Sequence, residues 1–492
     1  MAYAGLDIGT SSSKVTVYDI SGNTLFSSIR YYDEIGGNGI RELDPNTVVE
    51  NVLDLLKELG NNCKHTIKGM AITSLGESLV FIDEKNNVIC NSFLTGDFRG
   101  IEESEYLINN IGQERIMNIT GLPPNELYSL PKLIWFKNNT DVLKRSKKIF
   151  FFEDYIAYLL TKKRIVSYSS ACRSMAFDIV KKEWSDYLLS LAGINHEFFS
   201  QPVESGTLIG NILPDIAESL NLSPDMKIYA GGHDQMCAAL GSGLIDEDTC
   251  ETSMGTCEFM LFLLPALTTT KYMIENDFTC IPYVLPNKYL SSLEVTTCGI
   301  LKNWGKQTLS YTNIDNNDNN FFDKIEDEII NLQTEVLTLP QFGSSGNPNL
   351  SMDARGTVTG LTIHTKPEEI YLSLIEGMSF QLLLAYEKLK AIGVSVNKMV
   401  ATGGGAASDA TLQIRANIFN MPVYRTESKE TGALGAMILA AYGAGEFPSL
   451  HDGIDKIVKY SKKFEPNSKT QDYYLNKYEK YKHVYSLMHD YI

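Results

Sequence analysis

Two stretches about 240 residues apart share one grammar, and this restricts the fold more than any other feature of the chain. Gly5-Leu-Asp-Ile-Gly-Thr-Ser-Ser-Ser-Lys-Val-Thr-Val is an apolar strand, a Gly-Thr turn with small polar residues, then a second apolar strand. Cys250-Glu-Thr-Ser-Met-Gly-Thr-Cys-Glu-Phe-Met-Leu-Phe-Leu repeats that order. Internal similarity implies a repeated structural unit, so the chain is expected to contain two related α/β halves, each opening with a loop of phosphate size. Gly-Thr turns are common, and coincidence is the competing account. Length favours the repeat, because 492 residues exceed a single ordinary core at roughly 150 residues per domain. The boundary is expected near Gly241-Ser242-Gly243, giving domains 1–245 and 246–492.

The surroundings of each hairpin fit this scheme. Tyr3–Ile8, Lys14–Ile20 and Thr24–Phe26 read as three consecutive antiparallel strands. A helix is expected over Pro45–Leu59, with Pro45 at its first position behind Asp44 and Val48, Val49, Val52, Leu55, Leu56 and Leu59 on one face. A second strand-turn-strand is expected from Met70–Thr73 through Leu79–Asp83 and Val88–Cys90, then helices to about Leu160. Asn313–Asn320 reads as a polar loop, and the Lys- and Tyr-rich tail from Lys456 as a surface helix with a partly apolar stripe.

Composition removes several function classes. The net charge is −17, which opposes a backbone-tracking nucleic-acid binder. An anionic ligand would be held by loop amides or a bound cation rather than by a basic field. Eight scattered cysteines without a CxxC pair read as reduced thiols. The start, MAYAGLDIGT, shows no secretion signal, and the apolar run Phe259–Leu264 is too short to cross a bilayer. A cytoplasmic protein is expected.

Two phosphate-loop look-alikes fail on spacing. Gly299-Ile-Leu-Lys-Asn-Trp-Gly-Lys-Gln has five residues between its glycines and Gln in place of Ser/Thr; Gly241-Ser-Gly lacks the third glycine of a dinucleotide turn. What remains is carboxylates beside glycine loops. Asp7 ends the first strand, either as a turn residue or as a carboxylate aimed at a hydrated Mg²⁺ bridging phosphates. Asp234 follows Gly231-Gly232-His233 at a helix N-cap, where it either caps or faces a cleft; the paired glycines would let a ligand approach the backbone. Gly403-Gly404-Gly405, between a strand and a helix, either admit a ring or phosphate or simply make a tight turn.

Taken in order, Asp7-Ile-Gly-Thr-Ser-Ser-Ser-Lys14, Gly231-Gly-His-Asp-Gln235, Ser253-Met-Gly-Thr256, Gly356-Thr-Val-Thr-Gly-Leu361, Ala401-Thr-Gly-Gly-Gly405 and Glu430-Thr-Gly-Ala-Leu-Gly-Ala436 resemble the FGGY family of carbohydrate kinases over nearly the whole chain. The resemblance implies two ribonuclease H-like (actin-like ATPase) domains flanking a catalytic cleft, the first binding sugar and the second ATP. It implies Asp234 as the base that takes the proton of a sugar hydroxyl. Thr10, Ser11, Ser12, Lys14 and Thr256 would line the phosphates, and Gly299, Asn303, Gly404 and Ser408 the nucleoside. Glu77 and Gln235 join Asp234 as expected sugar contacts. Glu77 matches the glutamate of the glycerol-kinase Gln-Arg-Glu pattern, whereas Gly76 stands where the arginine would be and no xylulose-type histidine is present. Gly96-Asp97-Phe98-Arg99 fits the family's Asp-x-Arg, while Gly343–Pro348 lacks an arginine usual in that loop.

The expected activity is ATP-dependent phosphorylation of a xylulose-type pentulose or a glycerol-like polyol, with Mg²⁺. Phosphoryl transfer needs in-line positioning, charge neutralisation and one group orienting the nucleophile, and two Gly-Thr hairpins facing across a cleft can supply the clamp. The expected partners are ATP and sugar, with a homodimer as the assembly allowed for and neither nucleic acid nor membrane. Two rivals are a nucleotide-hinged ATPase of actin or chaperone type, disfavoured by the Gly-Gly-His-Asp-Gln stretch, and a non-catalytic sugar sensor, disfavoured by Asp7 and Asp234.

Overall fold

The computed structural model describes residues 1–309, 325, 328–348 and 354–488; the Asn313–Asn320 stretch lies outside them. Seven helices and thirteen strands suffice to locate the site. The first sheet contains β1 (Ala2–Ile8), β2 (Ser12–Asp19), β3 (Thr24–Tyr31), β4 (Ile67–Ser74), β5 (Leu208–Asn211) and β6 (Lys227–His233), in the order β5-β6-β4-β1-β2-β3. The second contains β7 (Thr249–Met254), β8 (Glu258–Leu264), β9 (Ile281–Pro282), β10 (Tyr289–Val295), β11 (Lys398–Thr402), β12 (Val423–Thr426) and β13 (Tyr460–Phe464), in the order β9-β10-β8-β7-β11-β12-β13.

The two sheets repeat one topology. In each, a meander of three antiparallel strands leads off (β1-β2-β3 and β7-β8-β10), and the first of them takes a parallel neighbour, β4 or β11. That strand pairs in parallel with β6 or β12, which is edged by antiparallel β5 or β13. β9 is the one addition. The sequence repeat is therefore a repeat of sheet topology: Asp7-Ile-Gly-Thr and Ser253-Met-Gly-Thr occupy the same turn.

Helix α1 (Pro45–Asn62) begins as its sequence dictates, with the Asp44 carboxylate accepting from Asn46 N and Pro45 at the first position, and it buries the expected Val/Leu face except Val49, which is only partly buried at its edge. The opposite face of the first sheet is covered by a helix from the second half. Helix α6 (Thr431–Gly443), almost wholly apolar, lies on β1, β4 and β6 and crosses α2 (Asp234–Ser242). Glycine permits this: a Cβ on Gly5 would stand 1.9 Å from Ala433 O, and one on Gly435 1.9 Å from Cys237 O. In the second half α3 (Gly299–Leu309) packs on α4 (Pro367–Leu389), which lies against β10, and α5 (Asp409–Phe419) lies against β12 and β13.

The turn at Asn86-Asn87 forms, with Asp83 N donating to Asn87 O at 3.0 Å and Ile82 bridging Val88, and Val80–Ile82 takes Lys148–Phe150 as a further strand partner. The tail helix α7 (Gln471–Met488) turns its expected stripe inward: Tyr474, Tyr478, Tyr481 and Tyr485, at spacings of three and four, are buried. Lys477, 4% exposed, goes in with them and bonds Glu376 at 2.5 Å. The glycines before Asp234 do not open the backbone to a ligand; a Cβ on Gly231 would strike Ile72 O at 2.0 Å and one on Gly232 the Ser169 Oγ at 2.6 Å. They let β6 close against its neighbours.

Candidate active site

The cleft holds three cavities, and Asp234 lies where two of them meet. β6 delivers it: the strand ends at His233, and α2 begins at Asp234. The N-cap is therefore His233, one residue earlier than expected, and Asp234 is the first helical residue. Its Oδ1 accepts from Gln235 N at 2.6 Å and lies 3.1 Å from His233 Nε2. Burial pushes the His233 imidazole down to about 3, with Arg173 adding to the effect, so a neutral ring lies beside the Asp234 carboxyl. His233 Nδ1 is buried without a partner among the described residues. From behind, Ser169 Oγ accepts the His233 N–H at 3.2 Å and fixes the turn.

The Asp234 side chain is 33% exposed to the cleft and otherwise walled by protein. Burial first, and the nearby Asp7 second, push its carboxyl up to about 8; the Gln235 N–H opposes the rise. Such a group exchanges protons near neutrality, as a general base must.

On one side of Asp234 opens a cavity of about 250 Å³ lined by Glu77, Thr95, Asn125, Tyr128, Arg173 and Gln235 from the first half, and by Phe259, Thr279, Ser292, Glu294 and Asn347 from the second. Glu77, expected as a sugar contact, is there but engaged: Arg173 donates to its Oε1 from Nε at 2.6 Å and also from Nη2. Burial would raise the Glu77 carboxyl, yet Arg173, His233 and Lys132 together hold it below the usual carboxylate range. Arg173 is reached through Gly76, since a Cβ at that position would stand 3.0 Å from Arg173 Cγ and 2.7 Å from His233 Cδ2. The arginine missing beside Glu77 in sequence is thus replaced in space by one 96 residues downstream. Asp97 and Arg99 do not line this cavity. They bond each other at 2.6 and 2.8 Å, and Arg99 reaches Glu42 at 2.7 Å and lies over the Phe93 ring.

On the other side of Asp234 lies a cavity of about 280 Å³ bordered by Asp7, Gly9, Ser12, Lys14, Gln235, Ser253 and Glu430. Asp7 is the penultimate residue of β1, opposite Lys14 on β2. Burial raises its carboxyl to about 6, Lys14 opposing and Glu430 adding. Lys14 bonds Glu430 of the other half. Ser12 and Lys14 thus border this space as expected, whereas Thr10 faces the first cavity and Ser11 is exposed, lining none of the three. Glu251 on β7 went unnoticed in the sequence. It is 1% exposed, its Oε1 accepts from Thr402 Oγ1 at 2.5 Å, and its Oε2 has no partner among the described residues. Burial and then Glu258 raise it to about 8, against the Thr402 bond.

The third cavity, about 470 Å³, belongs to the second half. Thr256, Gly299, Asn303, Gly404 and Ser408, one expected set, all line it, with Gly255, Lys302 and Tyr371. Of the three glycines only Gly404 leaves room: a Cβ there meets nothing within 4 Å, while Cβ atoms on Gly403 and Gly405 would press on Met254. Ser408 caps α5, accepting from Thr411 N at 3.0 Å. Gly299 N donates to Gly255 O and Thr256 O at 3.1 and 2.9 Å, tying α3 to the second Gly-Thr turn.

Arg173, Phe259, Glu251 and Glu294 were not found from sequence. One signal existed for Arg173: a lone arginine within Ser167-Tyr-Ser-Ser-Ala-Cys-Arg-Ser174 has neighbours too small and apolar for a solvated surface. The others are single residues on strands whose partners lie far along the chain.

Models of the FGGY family of carbohydrate kinases match residues 2–241 (N-terminal domain) and 250–444 (C-terminal domain). A xylulose kinase of Staphylococcus epidermidis is 27% identical over 98% of this chain and 96% of its own. Among solved structures, a gluconate kinase from Lactobacillus acidophilus superposes with a TM-score of 0.91 at 25% identity, covering 99% of this chain and 98% of that one. A ligand-bound xylulose kinase from the same organism superposes with a TM-score of 0.90, also at 25% identity and with the same coverage.

Proposed function

The chain belongs to the FGGY family of carbohydrate kinases, and on that premise we propose that it transfers the γ-phosphoryl group of ATP to a small sugar or polyol with Asp234 as general base. The 250 Å³ cavity takes the sugar, the 280 Å³ cavity the phosphates, and the 470 Å³ cavity the nucleoside. The functional division is then 1–245 for sugar and the base, and 246–492 for ATP. One observation carries the reading: Asp234, poised near neutrality, borders both the first and the second cavity.

In this mechanism the reacting hydroxyl lies against Asp234 and gives up its proton to the carboxylate as the oxygen attacks phosphorus. The Gln235 N–H orients the carboxylate, and His233 beside it stays neutral and so leaves its charge intact. Gln235 and the Glu77–Arg173 pair hold the remaining hydroxyls. Ser12, Lys14 and Thr256 meet the phosphates from opposite halves, with Thr10 and Ser11 joining as the cleft closes; closure also excludes water that would hydrolyse ATP. Gly404 and Ser408 border the nucleoside together with Gly299 and Asn303.

The residues fit a hydrated Mg²⁺. Asp7 and Glu251, from opposite halves, present carboxyls to one cavity, and Glu251 Oε2 has no protein partner among the described residues. No group of three His, Cys, Asp or Glu side chains among those residues is close enough to chelate a metal directly, which suits a cation held through its waters. When bound, it would neutralise charge on the phosphates.

A xylulose-type ketose is the first substrate to test, in keeping with the curated relative. A nucleotide-hinged ATPase without a sugar is not favoured by this kinship. Eight cysteines that form no disulfide are in keeping with the cytoplasm, and no helix among the described residues is long and apolar enough to cross a membrane. The test is a coupled ADP-release screen over pentuloses, hexuloses, polyols and aldonates. Sugar-stimulated ADP release is expected, and a basal rate that no sugar raises would refute the assignment.

A further inference from the structure

The sugar cavity is closed by the second half, and its closing wall carries a carboxyl group that nothing in the protein uses. Phe259 on β8 and Glu294 on β10 are direct cross-strand partners, so their side chains stand together on the cleft face, with Ser292 two residues earlier on the same side. The strand is pinned there because Glu294 N donates to Asn347 Oδ1 at 3.0 Å. The Glu294 carboxyl itself has no hydrogen-bond partner among the described residues. Burial pushes it up to about 7, with Arg173 opposing. Half-buried and bordering the cavity, this carboxyl leaves its lone pairs to whatever ligand enters, and a sugar O–H would make a charge-assisted bond to it.

The charge of the wall says which ligand. Arg173, the cation lining the cavity, already gives two N–H groups to Glu77. Asp234 and Glu294 add acceptors from opposite sides. A neutral polyhydroxyl compound brings O–H donors to these acceptors. Above these raised values, at about pH 8.5, where the comparison is made, a sugar acid would bring a carboxylate towards two ionised carboxyl groups, with the arginine already committed. The likeness to both a xylulose kinase and a gluconate kinase does not choose between these substrates; the wall does.

Resting on the reading of this cavity as the sugar site, we propose that Glu294 is a specificity-determining residue that binds hydroxyls of a neutral ketose or polyol and excludes sugar acids. The test uses the full chain with D-xylulose, glycerol and D-gluconate, following ADP release and, without ATP, heats of sugar binding. The wild type should prefer its best neutral substrate over gluconate by about 100-fold in kcat/KM, the scale of an unshielded like-charge contact. Glu294→Gln, nearly isosteric, should raise the neutral-sugar KM about tenfold with kcat within about threefold, and narrow the preference over gluconate about tenfold. Glu294→Ala should do the same without the amide's own hydrogen bonds. A residue that merely held the strand would not move the neutral-to-acid ratio. A wild type active on neutral sugars whose two variants keep both KM and selectivity within about twofold would overturn this proposal alone, as would a wild type preferring gluconate. A wild type that turns over no sugar would overturn the cavity assignment and the proposal together.

Discussion

Replacing Arg173 with methionine keeps most of the stem volume and removes the charge, leaving Glu77 buried without its main partner. The side chains of the pair are 10% and 6% exposed, so solvent cannot take over. Removing one member of a buried pair costs about 3–5 kcal/mol, because the other remains as an uncompensated charge. For a unit of 150–250 residues each kcal/mol shifts Tm by about 2–4 °C, so Arg173→Met should melt roughly 6–20 °C below wild type. Glu77→Gln alone should fall comparably, since it strands a guanidinium. The double variant Glu77→Gln/Arg173→Met removes both charges and should recover to within about 2 kcal/mol of wild type, a coupling of at least about 4 kcal/mol. Four proteins melted by calorimetry without ligand close the cycle, and the sugar KM should be raised in all three variants. Additive losses, or an Arg173→Met protein melting within about 2 °C of wild type, would refute the argument that Arg173 substitutes for the arginine absent at Gly76.

Asp234→Asn should fold and bind ATP normally in calorimetry but lose about 10²–10⁴-fold in kcat, the usual worth of a positioned base; near-native turnover would remove it from that role. Because burial and Asp7 raise the Asp234 carboxyl to about 8, protonation disables the base as pH falls, and kcat/KM for sugar should drop towards tenfold per unit below that value. A flat profile from pH 6 to pH 8 would count against it. Gly404→Val should weaken ATP binding in calorimetry by about tenfold or more and spare sugar binding, since its side chain projects into open cavity; unchanged ATP affinity in a stable variant would make the glycine structural.

What could be read from the sequence was local or repeated. The Gly-Thr hairpins, the α1 cap and the Gly404 turn are each specified within a dozen residues, and the repeat linked the two hairpins across the chain. Asp7 and Asp234 emerged because strand ends beside glycines are where α/β folds display carboxylates. The partnerships were not legible. Arg173 meets Glu77 across 96 residues, Lys14 meets Glu430 across 416, and neither periodicity nor spacing encodes such contacts. Glu77 looked like a free acceptor because its sequence neighbourhood is a turn; tertiary structure turned it into half of an ion pair. The Gly231-Gly232 turn misled for the opposite reason, since close packing and ligand access ask for the same residue.

Helix α6 has a bearing on how the molecule is made. The sheet it covers is complete at residue 233, but the covering segment begins at residue 431. A ribosome adding about 5–20 residues per second needs about 10–40 s to cross that gap. Throughout that interval the nascent amino-terminal sheet carries a bare apolar face notched at Gly5 for a helix not yet synthesised. A ribosome-stalled chain ending before residue 431 should therefore bind a hydrophobic dye and recruit chaperones, and a chain stalled well past residue 443 should do neither. For the same reason a gene cut at residue 245 should not yield a self-sufficient first fragment; supplied in trans, the second fragment would have to return α6 before the first could stay in solution.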